Sequence, residues 1–305
     1  MRIKKAIILN MLLTASVFGL AITGFSYYQN DVSEFVDVTL DSKVLKESRK
    51  VFIRLPDSFD KNKAYPLIIK TDGNFNLANW DKALKALNHE STLNEAILVA
   101  IPNQFFTDTR NRDLVPPYAR KDVNTNPRPK HESSPEIFGK ADLFLAFLEQ
   151  ELLTYLEANY TLTENRILTG FSAGGSFTLY TLHNKPKLFN GYFAFSPAAW
   201  YDDMTVAKRF DAFLKTNINC IKQPTFLYIT VGGAEHSLML GAYNNLVTSL
   251  AKHPNSWLKW GSTINSNAEH NQNPALSVDK ALLNYTAFLS SQINTPSDEL
   301  MTVIN

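Results

Sequence analysis

The stretch Leu168-Thr169-Gly170-Phe171-Ser172-Ala173-Gly174-Gly175 decides the predicted fold. A β-type run precedes it and an amphipathic run follows it, so Ser172 falls on a turn between a strand and a helix. The glycines of this G-x-S-x-G pattern suit a very tight turn, because a side chain there would collide with the neighbouring strand or helix. Such a turn lifts the Ser172 hydroxyl clear of the sheet and aims the Ala173 N–H at the same space. Gly-Ser-Gly loops also arise by chance, so the prediction of an acyl-transfer nucleophile depends on its context.

Strand-like and helix-like runs alternate through the rest of the chain. The predicted strands are 35–40, 50–55, 67–71, 96–101, 166–169, 191–195, 226–231 and 257–264. The predicted helices are 77–87, 140–160, 176–183, 206–214, 238–251 and 275–289. The first two strands form an edge hairpin, and the later, continuously apolar strands are typical of a sheet covered on both faces. This alternation predicts one α/β domain over residues 27–292, with a mainly parallel twisted sheet and helices on both faces.

Two segments interrupt the alternation. Residues 102–137 contain several prolines and many charges, and loops of this length are usually functional or disordered. We therefore expect 102–137 to be a cap or specificity loop over the site. Residues 293–305 are polar and are expected to form a flexible tail.

The first 26 residues differ from the remainder. Arg2, Lys4 and Lys5 precede an almost entirely apolar run over residues 6–25. This pattern predicts a secretory signal peptide or an N-terminal membrane anchor, since about 20 apolar residues can span a bilayer. The chain is thus expected to be exported, periplasmic or secreted, with membrane attachment through residues 6–25 and cleavage both left open.

Composition limits the classes of function. The 305 residues are 45% hydrophobic and 19% charged, which supports a substantial core and excludes a disordered chain. A net charge of +1 and the absence of nucleic-acid-binding signatures argue against nucleic acid as a partner. Cys220 is the single cysteine, so no intrachain disulfide and no cysteine-based metal site can form. We expect Cys220 to be a buried apolar residue.

The acid and the base are predicted from strand ends. In an open parallel sheet, functional groups gather at the carboxyl ends of the strands, and the order after the nucleophile is acid, then histidine. Glu235 follows the seventh predicted strand, and His270 follows the eighth. His270 is expected to take the Ser172 proton, and Glu235 to orient the imidazole and stabilise its charged form.

Alternatives remain at each of these positions. Asp202 or Asp203, after the sixth strand, could replace Glu235, and a Ser–His dyad with a weak third member would also work. His236 is the next candidate base. The oxyanion hole requires two donors. One is the Ala173 N–H, and the other is expected from Asn74, or otherwise from Gly73, after the third strand.

Five motifs together resemble the putative esterase family of α/β-hydrolases, which includes siderophore esterases of the enterochelin type and esterase D-like enzymes. They are Asp72-Gly73, the Arg110–Pro116 segment of R-x-R-D-L-x-P type, Gly170–Gly175, the Ser196–Trp200 segment of S-P-S-x-W type, and Val231–Glu235. The resemblance spans about residues 35–290. Glu269 and Asn271 stand where the family commonly has small residues beside its histidine.

The resemblance implies an α/β-hydrolase fold and a serine esterase using Ser172, Glu235 and His270. It also implies that Arg112, Asp113 and Trp200 line the substrate site, although an internal salt bridge would account equally for Arg112 and Asp113. We expect a small-molecule ester as substrate and no metal or organic cofactor. A non-catalytic binding protein of the same fold and an acyltransferase or thioesterase remain as alternatives. The oligomeric state is not predicted.

Overall fold

The computed structural model describes residues 35–87, 91–103, 108–119 and 138–293. The predicted N-terminal export segment, the tail from residue 294 and much of the predicted cap loop lie outside the described residues. Within the described ranges, no helix is both long and apolar enough to cross a bilayer.

Eight strands form one sheet. They are β1 (Val36–Ser42), β2 (Glu47–Arg54), β3 (Tyr65–Lys70), β4 (Ile97–Ala100), β5 (Leu162–Phe171), β6 (Gly191–Phe195), β7 (Thr225–Gly232) and β8 (Leu258–Asn265). Their order across the sheet is β1-β2-β4-β3-β5-β6-β7-β8. β2 runs antiparallel to β4, and from β4 to β8 all neighbours are parallel. The α/β prediction is confirmed, with β1 and β2 at one edge.

Helices connect the parallel strands. They are α1 (Leu77–Ala86), α2 (Asp108–Leu114), α3 (Ala141–Phe147), α4 (Leu153–Asn159), α5 (Ala173–Asn184), α6 (Tyr201–Thr216), α7 (Ser237–Lys252) and α8 (Asn273–Ile293). A π-helical turn, Leu148–Leu152, joins α3 to α4, so the predicted helix 140–160 is a continuous helical run with a bulge.

Aromatic side chains pack on both faces of the sheet. On one face Trp80 of α1 stacks near Phe195 of β6, with ring centroids 6.3 Å apart, and Tyr285 of α8 lies edge-on to Phe193, 5.9 Å away. On the other face, Phe177 of α5 packs against Phe144 of α3, with ring centroids 5.1 Å apart, inside a large cluster of buried side chains. Because side chains alternate along a strand, both faces of the central strands are filled, and function is confined to the strand ends.

Three expectations are wrong. The segment 102–137 is not a loop throughout, because it contains the helix α2, in which the polar Arg110, Asn111 and Asp113 are buried together with Leu114. Its role as a cap stays a prediction. β8 is an edge strand with Ile264 half exposed, so it is not covered on both faces. Cys220 is exposed at the end of the 3-10 turn Ile218–Cys220, because the next residue, Ile221, takes the buried position.

Candidate active site

Ser172 lies on a sharp turn between β5 and α5. Its backbone dihedrals are φ 57° and ψ −116°, a left-handed region that strains residues with a side chain. A Cβ atom at Gly170 would lie 2.1 Å from the Gly174 carbonyl oxygen, and one at Gly174 would lie 2.4 Å from the Thr71 hydroxyl. The glycines are therefore required by close packing of the strand, the turn and the helix.

Glu235 and His270 meet at the carboxyl ends of β7 and β8. His270 Nδ1 lies 2.6 Å from Glu235 Oε2, within hydrogen-bonding distance. The other carboxylate oxygen accepts hydrogen bonds from the Gly232 N–H at 2.6 Å and from the Ser196 hydroxyl at 2.5 Å. The Glu235 side chain is fully buried and the His270 side chain is 41% exposed, so the acid is enclosed while the imidazole reaches solvent.

The imidazole also lies beside the serine turn. The His270 ring packs against the Phe171 ring with centroids 4.5 Å apart, and Phe171 immediately precedes Ser172. Among the described residues, no hydrogen bond joins the Ser172 hydroxyl to His270. In unliganded sites such hydrogen bonds are often long and tighten only when substrate binds.

A set of buried, uncharged polar side chains lies behind Glu235. This neutral network consists of Ser196, Thr230, Asn265, Asn273 and Ser277. Asn273 Nδ2 donates to the hydroxyls of Ser196 at 2.8 Å and Thr230 at 3.0 Å. Asn265 Nδ2 donates to Asn273 Oδ1 at 2.7 Å, and Thr230 and Ser277 share a hydrogen bond of 2.8 Å. The network joins the ends of β6, β7 and β8 to the start of α8.

The loop after β3 lies next to the same turn. Gly73 donates its N–H to the Ile101 carbonyl at 2.7 Å, so that N–H is engaged away from an oxyanion. Asn74 Oδ1 accepts from the Asn103 N–H at 3.2 Å, which fixes the orientation of the loop. Ala173 is the first residue of α5, where helix N–H groups have no earlier carbonyl in the helix to bind. Asn74 and Ala173 therefore stay the predicted donors.

Three buried charges brace this loop against the serine turn. We call Lys70, Asp72 and Arg110 the charged cluster. Arg110 makes a bidentate ion pair with Asp72, both contacts being 2.7 Å, and also donates to the Phe171 carbonyl at 3.2 Å. Lys70 Nζ donates to the Asp72 carbonyl at 2.8 Å and to the Thr71 carbonyl at 3.1 Å. The guanidinium of α2 thus ties the end of β3 to the end of β5.

Burial and charge act in opposite directions on this cluster. Burial lowers the pKa of Lys70 to about 8, although Asp72 attracts its charge. Burial also disfavours the charge on Arg110, but Asp72 outweighs that effect and raises the Arg110 pKa. Nearby, burial raises the pKa of Tyr201 to about 12, which keeps this phenol neutral at physiological pH.

Arg112 and Asp113 contact β2. Arg112 binds Glu47 and Asp113, and Asp113 also pairs with Arg49 at 2.7 Å. Because Asp113 is only 1% exposed, these contacts are those of an internal ion network that holds α2 on β2. Contact of this pair with substrate stays a prediction.

The other predicted residues are placed as follows. The Ala198 N–H donates to the Ser172 carbonyl at 3.0 Å, which sets the loop carrying Trp200 beside the nucleophile. The buried Trp200 Nε1 has no hydrogen-bond partner among the described residues. The alternative acid Asp203 is exposed and pairs with Lys208, and the alternative base His236 accepts from the Leu238 N–H at the start of α7.

Three residues at the site were missed in the sequence. Ser196 and Arg110 belong to the Ser196–Trp200 and Arg110–Pro116 motifs without a role of their own there, and Asn273, directly before Pro274, is not among the expected site residues. The Asn-Pro step at a predicted helix start was a signal for a cap, but not for contact with the acid. Among the described residues, no group of three or more His, Cys, Asp and Glu side chains could hold a metal ion.

Comparison with known proteins gives the family. A family model described as putative esterase matches residues 42–279, most of the chain. The ferri-bacillibactin esterase BesA of Bacillus subtilis is 28% identical over 193 residues, 61% of this chain and 65% of that protein. The siderophore enterobactin esterase of Emericella nidulans is 34% identical over 125 residues, 38% of this chain and 39% of that protein. These alignments span less than two thirds of either relative.

The fold is shared with solved structures. The BES protein from Bacillus cereus matches with a TM-score of 0.71 at 24% identity, covering 82% of this chain and 94% of that one. The α/β-hydrolase fold expected from the motifs is therefore confirmed.

Proposed function

This chain belongs to the putative esterase family, and from that membership we propose that it is a serine esterase acting through an acyl-enzyme on Ser172. One observation carries the proposal. A buried carboxylate, Glu235, lies 2.6 Å from Nδ1 of a half-exposed imidazole, His270, whose ring packs beside the strained serine turn.

The reaction follows from these positions. Ser172 Oγ attacks the ester carbonyl carbon while His270 Nε2 takes its proton, and Glu235 stabilises the imidazolium that forms. The N–H groups of Ala173 and Asn74 donate hydrogen bonds to the developing oxyanion. Collapse of the tetrahedral intermediate expels the alcohol, which takes the proton from His270. A water molecule then repeats the sequence on the acyl-enzyme and releases the acid.

The substrate is proposed to be a small-molecule siderophore ester. The relatives named above are, by name, a ferri-bacillibactin esterase and a siderophore enterobactin esterase, and the match to the first covers 61% of this chain. Arg112, Asp113 and Trp200 would line the substrate site, with the unpaired Trp200 Nε1 available to donate a hydrogen bond to substrate. The enzyme is further proposed to be exported, since Arg2, Lys4 and Lys5 precede the apolar run 6–25.

The test compares hydrolysis of p-nitrophenyl butyrate, enterobactin and bacillibactin by the wild type, Ser172→Ala and His270→Ala. We expect both variants to lose hydrolysis of every ester, and a fluorophosphonate probe to label the wild type but not Ser172→Ala. Hydrolysis retained in His270→Ala would show that another residue is the general base. A well-folded wild type with neither hydrolysis nor labelling would contradict the proposal and favour a binding protein. Cell fractionation and N-terminal sequencing test export and cleavage.

A further inference from the structure

A chain of hydrogen bonds with fixed polarity runs from the surface to Glu235. One end is the Lys280 ammonium, which can only donate, and the other is the Glu235 carboxylate, which when ionised can only accept. Between them lie Asn265, Asn273 and Ser196, each buried to 4% exposure or less. Each of these three side chains both donates and accepts, so the two ends decide the orientation of all of them.

The donor–acceptor orientation is fixed first in the side-chain amides of Asn265 and Asn273. Lys280 Nζ donates to Asn265 Oδ1 at 2.6 Å, so the amide nitrogen of Asn265 must point the other way. That nitrogen donates to Asn273 Oδ1 at 2.7 Å. The nitrogen of Asn273 is consequently turned toward Ser196, to which it donates at 2.8 Å.

The last step delivers one hydrogen to the acid. Ser196 Oγ has a single hydrogen, and a lone pair of that oxygen is occupied by Asn273. The hydrogen is therefore directed to Glu235 Oε1, 2.5 Å away. With the Asn273 amide reversed, Ser196 would give its hydrogen to Asn273 and turn a lone pair toward the carboxylate, which would repel it.

We propose that Asn273 is a positioning residue that orients Glu235 through Ser196, with its own orientation set by Lys280 and Asn265. This inference rests on the proposed function, because it matters to catalysis only if Glu235 orients the base. Asn273 also holds the base itself. Its backbone N–H and that of Gln272 both donate to the Glu269 carbonyl, at 3.1 and 3.0 Å, closing the turn that carries His270.

The test uses Asn273→Asp, which keeps the shape of the side chain but replaces its donor by an acceptor. The Ser196 hydrogen would turn to the new carboxylate, and Glu235 would lose a donor. We expect kcat for p-nitrophenyl butyrate to fall about 10- to 100-fold with KM nearly unchanged. Asn245→Asp, the same change at an exposed position of α7, is the matched control and should keep wild-type kcat.

A double-mutant cycle separates orientation from a general structural role. Because the proposed route runs through Ser196, Asn273→Asp should lower kcat by less than about 2-fold in a Ser196→Ala background. If the fold-losses in kcat of the two single variants multiply in the double variant, Asn273 does not act through Ser196 and the proposal is wrong. The downfield proton NMR resonance of the His270 Nδ1–H should shift in Asn273→Asp and not in Asn245→Asp, since it reports the contact with Glu235.

Lys280→Met tests the outer end of the chain without changing a buried residue, and it serves if Asn273→Asp does not fold. Removing the donor frees the Asn265 amide to reverse, and we expect kcat to fall about 3-fold. Ser172-dependent hydrolysis in the wild type, together with wild-type kcat in the folded Asn273→Asp or Lys280→Met variant, would overturn this inference and leave the proposed function standing. Absence of Ser172-dependent hydrolysis in the wild type would overturn both.

Discussion

The two sides of Ser172 are stabilised by different chemistry. Toward β3, one neighbour of β5 in the sheet, the charged cluster of Lys70, Asp72 and Arg110 binds backbone carbonyls and braces the loop after β3. Toward β6, β7 and β8, the neutral network of hydroxyls and amides supports Glu235. When one partner of a buried ion pair is removed, the remaining buried charge lowers the free energy of unfolding by several kcal/mol. Removing one partner of a neutral hydrogen bond costs less. A neutral group that both donates and accepts also fixes the donor–acceptor orientation of the next group in the network.

The largest effect is expected on the charged side. Arg110→Met leaves the fully buried Asp72 carboxylate without its bidentate partner, and the free energy of unfolding should fall by about 3 to 5 kcal/mol. Urea denaturation measures this. The matched control is Arg112→Met, which should cost about 1 kcal/mol because Asp113 keeps Arg49 as partner. Equal decreases in the free energy of unfolding for Arg110→Met and Arg112→Met would contradict the larger stabilising role expected of Arg110.

The second effect is a pH dependence on the charged side. Burial lowers the pKa of Lys70 to about 8 from 10.5, so the unfolded chain retains this proton over a pH range where the folded protein releases it. The wild type should therefore gain stability relative to Lys70→Met as pH rises from about 8 to 10.5, by about 3 kcal/mol at most. Denaturation midpoints at several pH values measure the difference. A difference independent of pH would show that Lys70 is not desolvated.

A smaller effect is expected on the neutral side. Thr230→Val removes a hydroxyl that accepts from Asn273 and bonds to Ser277, and it should cost about 1 to 2 kcal/mol. Thr39→Val, at an exposed position of the edge strand β1, should change the free energy of unfolding by less than about 0.5 kcal/mol. If Thr230→Val lowered the free energy of unfolding as much as Arg110→Met, the charged cluster and the neutral network would not differ in this respect.

The smallest effect concerns Glu47 and Arg112, the partly exposed ions that hold α2 on β2. Hydrogen bonds from Arg112 lower the pKa of Glu47 to about 2 from 4.5. The wild type should be more stable than Glu47→Gln above about pH 4.5 and should lose this advantage as pH falls toward 2. Solvent screening limits the effect to about 1 kcal/mol, which urea midpoints between pH 6 and 3 can measure. A stability difference between the wild type and Glu47→Gln that increased as the pH fell would contradict the lowered pKa of Glu47.

The sheet could be predicted because its strands are apolar runs with clear ends. All eight predicted strands occur, and Ser172, Glu235 and His270 follow β5, β7 and β8 as expected. The helix α2 could not be predicted, because Arg110 and Asp113 are buried along it and its last residue, Leu114, is its only apolar one. Its stability comes from ion pairs with Asp72 and Arg49, which lie far away in the sequence.

The neutral network could not be predicted for a related reason. Its members, Ser196, Thr230, Asn265, Asn273 and Ser277, are common polar residues of strand ends, loops and a helix start. No spacing links them along the chain, because they meet only when parallel strands place their carboxyl ends at one edge of the sheet. The exposure of Cys220 was also missed, since a general preference of cysteine for burial says nothing about one particular turn.

The exposed Cys220 offers a practical consequence. It is the only thiol in the chain, and it precedes β7, whose amino end lies about 23 Å from the carboxyl end where Glu235 follows. A maleimide would therefore attach a single dye or a solid support to the edge of the sheet opposite Ser172. Immobilised in this way, every molecule would present to solution the edge of the sheet that carries Ser172.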